Sequence, residues 1–358
     1  MDRLIATYLV RAGAGSIEAR ARAIAVEQSV EMPLEAIDDA VILETIVGRV
    51  EDITDRGNGV FAVRIGLAPA TVGADAGQLL NMAFGNTSLH EDVVLSDLDL
   101  PAALAARFGG PRHGIAGLRA RAGVPARALT CAALKPQGLP PARLAELAGR
   151  FARGGIDYLK DDHGLTDQDY APFAARVAAC AEAMRGHRTR YIPSLSGSLD
   201  DLRRQARQAS DAGVDSVMVA PMLAGWSNVM ALGRDFPDLA FLAHPTMGGY
   251  RIAPELLIGR LFPLIGADAV VFPTHGGRFG YSATTCRRLA DNARDSHGKR
   301  PCLPVPAGGM TLARVPEMLD FYGLDIMLLI GGSLLAAREL LTEETAAFVK
   351  AVAQHRYG

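Results

Sequence analysis

The chain has 358 residues, 49% of them hydrophobic and 21% charged, a composition that can bury a sizeable core and that excludes disorder and a coiled coil. Its 37 Lys and Arg stand against 39 Asp and Glu, a formal net charge of -2, so no general field draws in nucleic acid or an anionic membrane. No apolar run reaches the roughly 18 residues that span a bilayer, and the opening MDRLIATYLVRAG carries charges inside its apolar stretch, so a soluble, cytoplasmic protein without a signal peptide is expected.

In chain order, IATYLVRA, ETIVGRVEDI and GVFAVRIGL read as antiparallel strands, and SIEARARAIAVEQS and GADAGQLLNMAFG as helices. Together they predict an N-terminal α+β domain of ferredoxin-like size over residues 1–105. The Pro- and Gly-rich segment FGGPRHGIAGLRARAGVP falls in a linker, 106–127. From 128 to 358, short apolar runs alternate eight times with stretches of helical period. The strands are expected at 128–136, 157–163, 189–197, 216–222, 239–245, 268–274, 301–309 and 325–332. Almost continuously apolar strands, each followed by a helix, indicate parallel strands covered on both faces, and eight such units predict a C-terminal (β/α)8 TIM barrel. The first of these strands ends in Lys135-Pro136-Gln137-Gly138 rather than GxGxxG, which argues against a dinucleotide fold. Cys131, Cys180, Cys286 and Cys302 form no CxxC pair and read as buried thiols of a reducing compartment.

Barrel chemistry sits at the carboxyl ends of the strands. Those ends carry Lys135, Lys160-Asp161-Asp162-His163, His244, His275 and the glycine pairs Gly308-Gly309 and Gly331-Gly332. Lys160 and Asp162 are two apart and share a strand face. They suit either a divalent-metal site, in which a lysine ammonium can be a ligand only if neutral or modified, or a plain Lys160–Asp162 ion pair. The glycine pairs suit a phosphate held by backbone N–H groups, or serve as turns. His244 and His275 suit acid–base or orienting roles. His90, His113, His187, His297 and His355 fall outside that rim and are expected at the surface or in structural roles.

These residues resemble the large subunit of ribulose-bisphosphate carboxylase (RuBisCO), and more closely its non-carboxylating form IV relatives, the RuBisCO-like proteins. The likeness spans nearly the whole chain and rests on AVEQS (25–29), FGNTS (84–88), SDLDLP (96–101), FGGPRHGI (108–115), LKPQGL (134–139), GGIDYLKDDHG (154–164), FLAHPTM (241–247), PAGGM (306–310) and IGG (330–332). The resemblance implies Mg2+ on a carbamylated Lys160 and on Asp162, with His163 at the third ligand position. It implies Lys135 as the lysine that moves protons on the substrate carbon skeleton and His244 beside the substrate. Glu27 and Asn86 would complete the active site of a neighbouring subunit, which implies a homodimer.

The departures are specific. His163 stands where the carboxylase has a glutamate, and Gln137 replaces the second lysine of KPK. The strand-six loop THGGRFGYS (274–282) has no lysine, only Arg278. CO2 fixation on ribulose bisphosphate is therefore not expected. Pro245, Val271 and Ala307 replace the donors of one of the family's two phosphate pockets, which predicts a substrate with a single phosphate, held at the glycine pairs. The expected activity is enolate chemistry on a monophosphorylated sugar or oxo-sugar-acid: proton transfer, or its coupling to decarboxylation or C–C cleavage. The altered ligand set favours a sugar-acid substrate over the methylthiopentulose phosphates of methionine salvage. A non-catalytic sugar-phosphate-binding or interaction protein is the reading from another class.

Overall fold

The structure, a computed structural model, describes residues 2–295 and 298–357. His297 lies outside them. In β1 (Leu4–Arg11) alternate residues Leu4, Ala6, Tyr8 and Val10 are buried, the period of a strand covered on one face. It pairs antiparallel with β3 (Val60–Leu67) on one side and β4 (Val93–Asp99) on the other, and β2 (Arg49–Asp55) adds to β3, giving the order β2-β3-β1-β4. Helices α1 (Ile17–Glu27) and α3 (Ala76–Phe84) belong to the same unit.

Two elements differ from expectation. Strand β4 lies where none is read, and the first residues of ETIVGRVEDI close a short helix, α2 (Ala40–Thr45), whose first turn Asp39 caps by accepting from the N–H groups of Val41 and Ile42. The unit comprises residues 1–109 together with 247–257. The latter run is an excursion from the barrel sequence that bridges Leu95 to Ile252, with Leu95 N–H donating to the Arg251 carbonyl.

The second unit, residues 110–246 and 258–358, is the (β/α)8 barrel. Its strands are β5 (Leu129–Leu134), β6 (Tyr158–Asp161), β7 (Arg190–Ile192), β8 (Ser216–Val219), β9 (Ala240–Ala243), β10 (Ala269–Pro273), β11 (Leu303–Ala307) and β12 (Met327–Ile330). Parallel pairing gives two runs, β12-β5-β6-β7 and β8-β9-β10-β11. The ring closes where Ser194 bridges Met218 and where β11 lies beside β12.

The segment read as a linker has a structural task. It holds a further helix, α4 (Gly114–Ala122), whose Leu118 and Ala122 join Val124 and the inward residues Leu129, Cys131, Tyr158, Leu242 and Val305 in one apolar cluster. Tyr158 Oη donates to the Leu118 carbonyl at 2.8 Å, and Asp268 accepts from the N–H groups of His113 and Gly114. The amino end of the barrel is thereby plugged, and chemistry is left to the other end. Among the described residues, no helix is long and apolar enough to cross a membrane.

Candidate active site

Residues of β6 alternate between the two faces of the barrel wall. Tyr158 belongs to the interior cluster, so Lys160 shares its inward face and is only 4% exposed. Its ammonium donates to the Asp161 carbonyl at 2.6 Å. Burial lowers its pKa, with Cys131, Asp162 and Asp161 pulling the other way.

Asp162 does not pair with Lys160. Its partner is Lys135, at the end of the neighbouring strand, whose Nζ is hydrogen-bonded to Oδ2. The pairing register explains this: Ala133 lies beside Lys160 and Leu134 beside Asp161, so the next pair is Lys135 and Asp162. Oδ1 of Asp162 accepts from the Gly164 N–H at 3.0 Å and from Gln137 Nε2 at 3.4 Å. Burial opposes the charged form, but hydrogen bonds from Lys135 and Gly164 and the charges of Lys135 and His163 outweigh it and hold the carboxyl at about 2. The side chain of Asp162 is 4% exposed and that of Lys135 41%, so the lysine is the member of the pair that a substrate can reach.

His163 places Nδ1 3.4 Å from Asp162 Oδ1, and its ring stacks on that of His244 with centroids 4.5 Å apart and planes 5° from parallel. His244 Nδ1 lies 2.6 Å from Thr246 Oγ1. Burial, then the charges of Lys160 and His163, push His244 down to about 2, and burial lowers His163 as well. Both stacked imidazoles are thus pushed toward the neutral form, in which a ring can donate and accept a hydrogen bond. Lys135, Lys160, Asp162, His163 and His244 thus form one continuous group. Thr246 is an addition that the sequence alone does not reveal.

The glycines divide into two kinds. Gly308 and Gly309 have φ of 82° and 81°, a backbone that side-chain-bearing residues rarely adopt. At Gly331 and Gly332 an added Cβ would meet nothing within 4 Å, and neither has positive φ. Among the described residues no atom excludes a side chain at this pair. In the strand-six loop Phe279 is 55% exposed, and the site of a Gly308 Cβ is 3.5 Å from its ring. Arg278 stacks on Phe279 at 4.8 Å, and its charge contributes to depressing His163.

His275 is not brought to this group. Its ring packs on Phe321 of the helix Val315–Tyr322, centroids 4.3 Å apart, and its Nε2 lies 3.3 Å from Glu317 Oε1. In the first unit, Asn86 Nδ2 donates to Glu27 Oε1 at 2.9 Å and to Glu31 at 3.0 Å, so those two expected residues do meet.

Among the described residues no three His, Cys, Asp or Glu side chains form a metal-holding group. Asp162 and His163 supply two donors, and the third must come from Lys160. Burial that lowers the pKa of Lys160 favours the amine form, the one that reacts with CO2, and its carbamate would be an oxygen ligand of the kind Mg2+ prefers. The donor set therefore fits the ion only with Lys160 carbamylated.

Residues 114–252 match the ribulose bisphosphate carboxylase large chain, catalytic domain. Over 98% of its length the chain is 61% identical to the 5-methylthioribulose-1-phosphate isomerase of Rhodospirillum rubrum, covering 96% of that protein. It is 55% identical to the ribulose bisphosphate carboxylase-like protein 1 of Rhodopseudomonas palustris, over 99% of this chain and 98% of that one. A crystal structure of a Rubisco-like protein from Rhodopseudomonas palustris superposes with a TM-score of 0.93 at 51% identity, covering 99% of both chains.

Proposed function

Since the chain belongs to the RuBisCO large-chain superfamily, among its non-carboxylating form IV RuBisCO-like enzymes, we propose that it isomerises 5-methylthioribulose 1-phosphate by proton transfer through an enediolate. The observation that carries this is the end-to-end identity of 61% to a protein of that name. It turns the substrate choice away from the sugar acid that His163 suggested and toward the methylthiopentulose, and it sets the non-catalytic reading aside.

The site supports the reading as follows. The single phosphate is received by backbone N–H groups at Gly308-Gly309, whose positive φ turns the chain, and at Gly331-Gly332, where an added Cβ would meet nothing within 4 Å. The thioether end needs no charged partner and lies toward Pro245 and Val271, where the family's second phosphate pocket has lost its donors. Lys135, positioned by Asp162, acts as the neutral amine: its nitrogen lone pair takes the proton from the carbon beside the ketone, and the resulting ammonium returns it to the enediolate, so proton and electron counts balance without an oxidant. Neutral His244, its Nδ1 anchored on Thr246, turns its other nitrogen to the substrate oxygens.

Mg2+, held by carbamylated Lys160, Asp162 and His163, would supply Lewis-acid polarisation of the carbonyl. Asp162, one of the residues that would hold the ion, is also the hydrogen-bond partner of Lys135. The strand-six loop has no lysine to orient CO2, in keeping with a non-carboxylating enzyme.

A homodimer, with Glu27 and Asn86 completing the partner's site, is part of the proposal. Its support is an apolar patch close to Glu27 in sequence: Met32, Leu34, Val41, Ile42 and Leu43 are all exposed, and α2 buries no residue of its own. A six-residue helix that buries none of its own side chains gains little from packing, so a covering surface is needed.

The test is incubation with 5-methylthioribulose 1-phosphate followed by 13C and 31P NMR. A new methylthiopentulose phosphate is expected. An unchanged spectrum, together with CO2 release from oxo-sugar-acid phosphates, would move the assignment to decarboxylation.

A further inference from the structure

The glycine pair at the end of β11 is physically joined to the loop after β10. An added Cβ on Gly277 would fall 2.4 Å from the Gly308 carbonyl oxygen, and one on Gly309 would fall 3.1 Å from Gly277 Cα, so the two backbones are in direct contact. Behind that contact sits Arg314, at the start of the helix Val315–Tyr322. Its Nη2 donates to the His275 carbonyl at 2.9 Å and its Nη1 to the Gly309 carbonyl at 3.4 Å. Its Nε and Nη2 also grip both oxygens of Glu317 at 3.1 Å. Glu317 in turn faces His275 Nε2. Gly276, with φ of 65°, passes so close that a Cβ there would lie 3.1 Å from Arg314 Nη2.

We propose that Arg314 is a positioning residue for the oxyanion-binding turn: its guanidinium ties the strand-six loop to the glycine pair, so that the two loops receive a phosphate as one unit. The inference rests on the phosphate assignment made above. The fork of Arg314 is engaged at Nε, Nη1 and Nη2 and its charge is met by Glu317, which suits a group that holds backbone rather than one that meets the anion itself. A trans peptide carries its N–H opposite its C=O. Holding the carbonyls of His275 and Gly309 therefore sets the directions of the N–H groups of Gly276 and Met310, and the Gly277 contact does the same for Gly309 N–H through the Gly308 carbonyl. This also gives His275 a place: packed on Phe321 and facing Glu317, it anchors the loop rather than acting on substrate.

The experiment is calorimetric titration of the full-length protein with inorganic phosphate, alongside KM and kcat for the isomerisation. Arg314→Lys keeps the charge but cannot span three acceptors in one plane. It is expected to weaken phosphate about tenfold and to raise KM more than it lowers kcat, by the weight of charge-assisted hydrogen bonds. Glu317→Gln should weaken phosphate less, about threefold. Phosphate bound by Arg314→Lys within twofold of wild type would overturn the proposal. If that variant fails to fold, unchanged affinity in Glu317→Gln overturns it instead. Gly331→Asp separates the two layers of the argument, because it puts a carboxylate into the cradle. Loss of phosphate in Gly331→Asp with indifference to Arg314→Lys removes only the positioning role. Full affinity in Gly331→Asp removes the phosphate site and the proposal with it.

Discussion

Asp161 and Asp162 occupy successive positions at the end of β6, and their carboxylates leave the strand on opposite faces. Asp161 turns into the wall between strand and helix. There it receives Arg176 Nε at 3.1 Å, the Tyr191 hydroxyl at 2.6 Å and the Ser194 N–H at 3.1 Å, with Arg176 fully buried on the helix Phe173–Ala183. Burial pushes Asp161 up, against the pull of Arg176, Tyr191 and Ser194. Asp162 turns to the mouth, pairs with a half-exposed lysine and is held at about 2. The same residue type, one position apart, is committed to structure on one face and left available for chemistry on the other. The difference is made by whether the partner can be reached from solvent.

The widest separation between the two faces should appear in turnover. Lys135→Met removes the half-exposed partner of Asp162 and is expected to lower the isomerisation rate by about 10²- to 10⁴-fold, with a smaller loss of stability in urea unfolding than on the wall side. On the wall side, Arg176→Met leaves Asp161 buried without its cation. Urea unfolding should show a loss of about 3 kcal/mol, while the folded fraction keeps its turnover number. Strong inactivation of fully folded Arg176→Met would break the division.

A smaller effect is expected at the stacked imidazoles. Thr246→Val removes the anchor of His244 Nδ1, a hydrogen bond of about 1 kcal/mol, so kcat/KM should fall roughly fivefold with little change in stability. The smallest effect concerns pH. The carboxyl of Asp162 is depressed from an ordinary 3.8 to about 2. Its ion pair therefore contributes stability that is complete above about pH 4 and is lost as pH falls toward 2. In metal-free protein, Asp162→Asn should flatten the acid limb of the unfolding curve in that window, and an unaltered limb would place the pairing elsewhere.

The sequence discloses the barrel more readily than the site's internal wiring. Runs such as DAVVFPT and DIMLLIGG are apolar at nearly every position because both faces are covered, and each contains a strand, β10 and β12. Strand β4 is harder to read. Its buried Val93 and Leu95 are followed by Leu98 rather than residue 97, because pairing with β1 slips by one residue between Thr7 and Tyr8. Helix α2 escapes for another reason: AVILET has no polar face in the chain itself and looks like the start of a strand.

The same limit governs the site. Spacing along one strand suggests Lys160 with Asp162, yet residues two apart in a strand are about 6.6 Å from each other. Lys135 reaches Asp162 across the ladder, at a place that only the β5–β6 register reveals. The partners of Asp161 lie 15, 30 and 33 residues away in sequence, and the anchor that Arg314 places on His275 is 39 away. No local pattern carries such pairings. Strand ends do mark where polar side chains collect, but His275 shows that such a position can serve packing instead.

The central claim is that Lys135 moves a carbon-bound proton while Asp162 holds it. The most direct measurement is deuterium uptake from D2O into 5-methylthioribulose 1-phosphate, followed by NMR for wild type, Lys135→Met and Arg176→Met under folding-permissive conditions. Deuterium should enter at the carbons flanking the ketone with wild type and with Arg176→Met, and should not enter with Lys135→Met. Full exchange by Lys135→Met would contradict the account.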